Sequence, residues 1–373
     1  MSIEIVAIGN EVLAGMILNC NATYLSEKLE DEGWQIHRHT VLPDDPGSIT
    51  LGLQEALNRS LFVINTGGLG PMIDDITLPC AENIFDQTPQ TIHNLVGSSS
   101  GFLFRSTHKT LILLPGVPQE MESIFEQSVM PFLRPPFPIE NKRFQKTTYF
   151  SLIKELDIDP FIRNLKARYP KIDCGIYPGF GVLPLKLRSY DQALLEQVDL
   201  QIEREFKAHI FHSKSGKLEE AIQDWFISHK KTLACAESCT GGSLASHLTA
   251  IAGSSDYFLG SLVTYSNELK CRLLGVSSET LCSKGAVSEE AVMEMVEGLL
   301  KVTKADWGIA VSGIAGPGGG TPENPVGTIW YAIGEKGQKP IAGTLFARGT
   351  RQMIILQTVN KVLGLLWKRL SHS

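Results

Sequence analysis

The chain has 373 residues, longer than a typical single domain, and its 43% hydrophobic and 20% charged composition is that of a packed globular protein rather than a disordered one. A formal net charge of -6 argues against a general nucleic-acid binder, which carries a basic footprint, but leaves room for small acidic ligands at local sites. Seven scattered cysteines form no CxxC pair, and neither a signal-like leader nor a membrane-length apolar run is found, so a cytoplasmic protein without disulfides, zinc knuckle or membrane partner is expected.

The first 130 residues or so alternate strand and helix signals. Ile3 to Ile8 reads as a buried strand, and Asn21 as the cap of a helix through Leu25 and Leu29 that stops at Gly33. Gln35 to Val41 is a second strand and Ile49 to Leu57 a second helix. Leu61 to Asn65 is a third strand, running into Thr66-Gly67-Gly68-Leu69-Gly70-Pro71. Thr110 to Leu114 is another, ended by Pro115-Gly116-Val117-Pro118 before a helix around Met121 to Val129. Such alternation predicts an α/β fold, with a mainly parallel sheet covered on both faces.

Pro131, Pro135, Pro136 and Pro138 mark a boundary. From Arg143 to about His212 a small α+β unit follows, with strands near 147–152, 173–177 and 182–187 and helices near 160–167 and 193–206. The charged stretch His212 to Glu220 reads as a linker. The last third is α/β again. Thr232 to Ala236 reads as a strand, Ser243 to Ile251 as a helix, and a further strand ends at Tyr265, where Ser266 caps the next helix. Ser288 caps a helix whose Val292, Met295, Val296, Leu299 and Leu300 form one apolar stripe. Strands at 307–311, 328–333 and 341–346 and a terminal helix over about 352–370 complete it.

Three loops in this last third carry candidate chemistry. Cys235-Ala236-Glu237-Ser238-Cys239-Thr240-Gly241-Gly242 lies at a strand-to-helix junction, where backbone N–H groups favour negative charge, and it sets the Ser238 hydroxyl beside them. That is the layout of a nucleophile next to an oxyanion site; the alternative is a plain capped turn. In Val263-Thr264-Tyr265-Ser266-Asn267-Glu268-Leu269-Lys270, a lysine near a helix N-terminus becomes a general base if burial lowers its pKa, and is otherwise a solvated surface residue. Ser312-Gly313-Ile314-Ala315-Gly316-Pro317-Gly318-Gly319-Gly320 follows another strand, and its glycines suit either an anion-binding nest or a flexible loop. All three leave apolar strands, so they converge at one sheet edge.

The ordered motifs AESCTGG, VTYSNELK, GAVSEE, SGIAGPGGG and PVGTIWYA, spanning about Leu218 to Leu370, closely resemble the C-terminal domain of the CinA family. The resemblance implies a three-layer α/β/α domain over 217–373 that hydrolyses the carboxamide of nicotinamide mononucleotide to nicotinate mononucleotide and ammonia, without a cofactor. Carried over by motif, Ser238 resembles the nucleophile, Lys270 its base and Tyr265 an assisting residue. Thr240, Gly241, Gly242, Ser312, Gly313 and Gly316 fall in the substrate loops, and Arg351 matches the arginine of a GDR element that contacts phosphate. Thr350 stands where that element has Asp, and Ile355 where a further arginine is found.

Ala7 to Gly15 and Thr66 to Thr77 resemble the family's N-terminal domain, a MoaB-like molybdopterin-binding fold over 1–137. In some members that domain hydrolyses ADP-ribose with metal assistance. On that reading Gly67, Gly68 and Gly70 cradle phosphates and Asp74 and Asp75 hold a divalent, Mg-like ion; the alternative is that the two aspartates only cap a helix. The segment after them is shorter than in the family, only Ile84 to His93 before an Asn94 to Phe102 loop. The unit over 138–212 resembles a KH-type domain but lacks a GxxG loop, so nucleic acid is not an expected partner. The resemblance also implies a homodimer acting on a small pyridine nucleotide. The alternatives to the amidohydrolase are a pyrophosphatase in the N-terminal domain and a non-catalytic, nucleotide-binding, competence-associated protein.

Overall fold

Uninterrupted apolar runs become the central strands, because a parallel strand covered on both faces has no solvent side to mark with polar residues. The structure, a computed structural model, describes residues 2–134, 143–177, 179 and 181–371. Pro135, Pro136 and Pro138 of the expected boundary lie outside the described residues. The chain divides into two units, Met1–Phe144 and Gln145–Ser373.

In the first unit β1 (Ser2–Ile8), β2 (Gln35–Leu42), β3 (Phe62–Thr66), β4 (Gln90–Ile92), β5 (Gly101–Arg105) and β6 (Thr110–Leu114) form one sheet in the order β2-β1-β3-β6-β5-β4. The first four strands in that order are parallel, and β5 and β4 run antiparallel. The helices are α1 (Asn10–Leu13), α2 (Cys20–Asp31), α3 (Pro46–Arg59), α4 (Thr77–Phe85), α5 (Pro118–Ile124) and α6 (Met130–Leu133), the last two joined by a π turn at Phe125–Val129. Leu25, Leu29 and Phe125 pack one face of the sheet with Ile64, and Leu53 and Leu57 the other with Val63.

Three expectations change here. Asn19, not Asn21, caps α2, its side-chain oxygen accepting from the Ala22 N–H, while Asn21 Nδ2 donates to the Gly116 carbonyl. The helix expected at Met121 to Val129 is α-helical only to Ile124 before the π turn. The β4–β5 pair was not expected, β4 being three half-polar residues, and the helix the two aspartates were to cap, α4, has Ile76 at its N-cap with no side-chain cap bond.

The second unit holds two sheets. The smaller has the order β10-β7-β9-β8, from β7 (Phe144–Ser151), β8 (Asp173–Ile176), β9 (Val182–Ser189) and β10 (Ile210–Phe211), with α7 (Glu155–Arg168) and α8 (Gln192–Phe206). Burial alternates strictly along β9, as a strand with only one fully covered face requires. The expected linker is shorter than read: α9 (Leu218–Ser228) already begins at Leu218, and the Glu220 carboxylate accepts from Ser213 and Ser215, tying the turn to the helix.

The larger sheet has the order β12-β11-β13-β14-β15, from β11 (Leu233–Glu237), β12 (Phe258–Val263), β13 (Trp307–Gly313), β14 (Thr328–Glu335) and β15 (Ile341–Phe346). β12, β11 and β13 are parallel and the last two antiparallel. α9 and α14 (Arg351–Leu370) cover one face through Ile222, Phe226, Val362 and Leu366. On the other, α13 (Glu289–Thr303) sets Met295, Val296 and Leu299 against Ala234, Ala236 and Ala310. The remaining helices are α10 (Ser243–Thr249), α11 (Asn267–Leu274) and α12 (Ser278–Ser283). Gly298 lets α13 approach α11, since a Cβ there would run into the Leu274 carbonyl. The chain leaves β11 for β12 on one side and returns to β13 on the other. This reversal of strand order opens a crevice at the strands' carboxyl ends. Parallel-centred sheets with helices on both faces, one in each unit, and a small α+β sheet in the second unit are the α/β architecture expected.

Candidate active site

The three loops meet in that crevice. Ser238, Tyr265, Lys270, Ser312, Gly316 and Arg351 line one cavity of about 270 Å³. Ser238 follows β11 directly, and its N–H donates to the Val311 carbonyl, so the neighbouring strand fixes its position. Strand β12 ends at Val263, two residues before the expected Tyr265. Ser266 caps α11 as expected, accepting from the Leu269 N–H.

Lys270 sits in the first turn of α11 and is only 1% exposed. Its Nζ lies 3.0 Å from Ser238 Oγ and 2.8 Å from the Thr264 carbonyl, with no carboxylate beside it among the residues described. Burial lowers its pKa, because the charged ammonium loses hydration that no anion replaces. In the neutral amine an N–H held by Thr264 leaves the lone pair for the serine hydroxyl. Cys239 also lines the cavity, but burial pushes its thiol up to about 12, so it stays protonated. The Ser238 hydroxyl is the one hydrogen-bonded to the Lys270 amine.

The glycine turn works differently from the sequence reading. Glu237, the last residue of β11 and fully buried, accepts from the N–H groups of Gly242, Leu244 and Ala245 and from the hydroxyls of Thr240 and Ser261. The chain's own carboxylate thus fills the N-terminus of α10. Thr240, Gly241 and Gly242 do not line the cavity. Gly241 and Gly242, at φ 58° and 98°, shape the turn that brings the N–H groups onto Glu237. The N–H of Thr240 has no acceptor among the described residues, and that of Cys239 lies against its own thiol. Glu237 is the residue the sequence reading missed; its signal is a carboxylate closing an otherwise apolar, fully buried strand.

On the opposite wall the buried Ser312 donates its hydroxyl to the Ala286 carbonyl, joining this loop to the GAVSEE segment. A Cβ on Gly313 would lie 2.7 Å from the Thr328 carbonyl oxygen, and Gly316 has φ 76°. Arg351, the first residue of α14, donates to the Gly316 carbonyl at 2.7 Å and to the Tyr265 hydroxyl at 2.9 Å. Both acceptors are neutral, so the guanidinium faces the cavity with its charge uncompensated by them. Tyr265 is 59% exposed and, among the described residues, makes no bond to Ser238 or Lys270. Thr350 takes the capping role at the start of α14, and Ile355 packs on the hydrophobic core.

In the first unit Gly67, Gly68, Gly70, Asp74, Asp75 and Glu120 line a separate cavity of about 470 Å³. Asp75 Oδ2 accepts from the Met72 N–H, and Thr77 donates its hydroxyl to the Gly67 carbonyl. No group of three His, Cys, Asp or Glu side chains able to hold a metal ion occurs among the described residues. A divalent ion at Asp74 and Asp75 would therefore rest on one or two carboxylates of this cavity together with water and substrate phosphates.

Residues 215–370 match the family described as the CinA C-terminal domain, and residues 4–135 the probable molybdopterin binding domain. A putative competence-damage inducible protein of Thermoanaerobacter pseudethanolicus is 34% identical over 97% of this chain and 97% of its own. The chain belongs to the CinA family. A CinA-like protein of Amoebophilus asiaticus, also 34% identical, covers 99% of each chain. Among solved structures, the competence damage-inducible protein A of Klebsiella pneumoniae is 38% identical over 42% of this chain and 96% of its own, with a TM-score of 0.41. No helix of this CinA-family protein, among the described residues, is long and apolar enough to cross a membrane.

Proposed function

We propose that the C-terminal region of this CinA-family protein is an amidohydrolase that converts nicotinamide mononucleotide to nicotinate mononucleotide and ammonia. The observation that carries the reading is the buried Lys270 amine, 3.0 Å from the Ser238 hydroxyl in a cavity that also holds Arg351. Lys270 takes the Ser238 proton as Oγ attacks the carboxamide carbon, and the oxyanion is received by the backbone N–H of Cys239, a residue of the same cavity wall. The protonated lysine then gives that proton to the departing nitrogen, releasing ammonia and leaving the acyl ester on Ser238. Water, deprotonated by the again neutral Lys270, attacks the ester, the lysine returns that proton to the Ser238 oxygen as it departs, and the acid released ionises to the carboxylate. A pyridinium cation bound nearby disfavours the ammonium form further and makes the carboxamide carbon more electrophilic. Arg351 receives the phosphate.

The test is ammonia release from nicotinamide mononucleotide by the purified full chain, without added metal, beside Ser238→Ala and Lys270→Met. Turnover abolished in both variants supports the reading. A folded wild-type protein that releases no ammonia sinks it.

A further inference from the structure

The second unit contains another cavity, of about 640 Å³, with no lining residue in common with the Ser238 site. It lies between the end of α8, the residues around β10 and the last turn of α14. Sixteen residues of α14 separate Trp367 in its wall from Arg351, about 24 Å at 1.5 Å per residue. The volume falls in the range of small-molecule sites.

The lining joins two kinds of group. Arg204 and Lys207 supply permanent positive charge, with His212 beside them, and neither Arg204 nor Lys207 has an ion-pair partner among the described residues. The carboxylate in the wall, Glu203, acts instead on Lys146 in the direction that favours its charge. Leu200 and the Trp367 indole supply the apolar part, and the indole is held in place because its Nε1 donates to the Ile210 carbonyl at 3.1 Å. A guanidinium and an ammonium suit a phosphate, and a fixed indole suits a flat heterocycle. We propose that this cavity binds a nucleoside monophosphate, its phosphate on Arg204 and Lys207 and its base against Trp367.

Calorimetric titration of the full chain with AMP tests this, beside adenosine, inorganic phosphate and a short single-stranded RNA. AMP should saturate one site and bind more tightly than either of its halves. Binding should survive Arg351→Ala and weaken at least about tenfold in an Arg204→Glu/Lys207→Glu protein shown by circular dichroism to be folded. Both replaced residues are exposed, so the fold is expected to tolerate them. Three results would overturn the proposal: no saturable AMP binding, AMP binding lost with Arg351 but kept after the charge reversal, or RNA that binds more tightly than AMP. Because the site shares no residue with the Ser238 cavity, its failure and that of the amidohydrolase reading are separate results.

Discussion

Lys270 reaches Ser238 from a different strand–helix junction, its Nζ 3.0 Å from the serine hydroxyl and its second bond anchored on the Thr264 carbonyl. The serine's position depends on β11 and β13 and the lysine's on α11, so three elements must be docked before the pair exists. A buried amine with no anionic partner carries two consequences, one for rate and one for stability.

The rate should rise with pH to a plateau whose midpoint lies below the ordinary lysine value, because only the neutral amine is a base and burial lowers its pKa. For stability, the unfolded chain binds the proton more readily than the folded one between the lowered pKa and the ordinary value of about 10.4. The destabilisation by Lys270 is therefore complete below the folded pKa and fades as pH rises through that window. Lys270→Met keeps the apolar bulk, so it should lower kcat by about 10²–10⁴-fold and raise resistance to urea near neutral pH, with the gain shrinking toward about pH 10. A rate that ignores pH across this range, or a less stable Met variant, contradicts the assignment.

Glu237→Gln removes a charge that five donors share, and turns an amide N–H toward at least one of them. Charge-assisted bonds of this kind are worth about 1.5–3 kcal/mol each, so a loss of about 3 kcal/mol or more in unfolding free energy is expected. Because Ser238 follows Glu237 directly, kcat should fall about 10²-fold through misplacement of the nucleophile. Urea unfolding beside ammonia release checks both; a variant as stable as wild type would mean that the carboxylate does not organise the turn.

Gly313→Ala should be disruptive for a different reason. The new methyl group would meet the Thr328 carbonyl oxygen at 2.7 Å and Ile329 Cα at 3.0 Å, both backbone atoms of the paired strand β14 that cannot swing aside. An overpacking cost of about 1–3 kcal/mol follows, and the shift of β13 would reach Ser312 and its bond to Ala286. A thermal melt indistinguishable from wild type would refute the argument.

Local signals were legible where they were enough to decide structure. Ser288 caps α13 and the stripe from Val292 to Leu299 is buried, because N-cap chemistry and a 3.6-residue period act within one element. The convergence of the Ser238, Lys270 and Ser312 loops was legible from their shared position after parallel strands. What escaped depends on partners distant in sequence. The choice of Asn19 over Asn21 as cap is tied to the Gly116 carbonyl, and the role of Glu237 depends on Ser261 as well as its own turn. The pairing of Arg351 with Tyr265 joins the start of α14 to the residue before the α11 cap, which no local pattern encodes.

That last pairing separates two roles for Tyr265. If its hydroxyl assisted Ser238 or Lys270, Tyr265→Phe would lower kcat. Its bond runs to Arg351 instead, so the variant should leave kcat near wild type and raise KM a few-fold, as the guanidinium loses one of its two anchors. Arg351→Ala should raise KM for nicotinamide mononucleotide by about 10–100-fold, the value of about 1.4–2.7 kcal/mol for a charge-assisted phosphate contact. On nicotinamide riboside, which has no phosphate, the Arg351→Ala and wild-type proteins should become nearly equal. Steady-state kinetics on both substrates decide the matter: an Arg351 effect of equal size on the riboside would place the guanidinium elsewhere than on the phosphate, and a kcat collapse in Tyr265→Phe would restore the tyrosine to the chemical step.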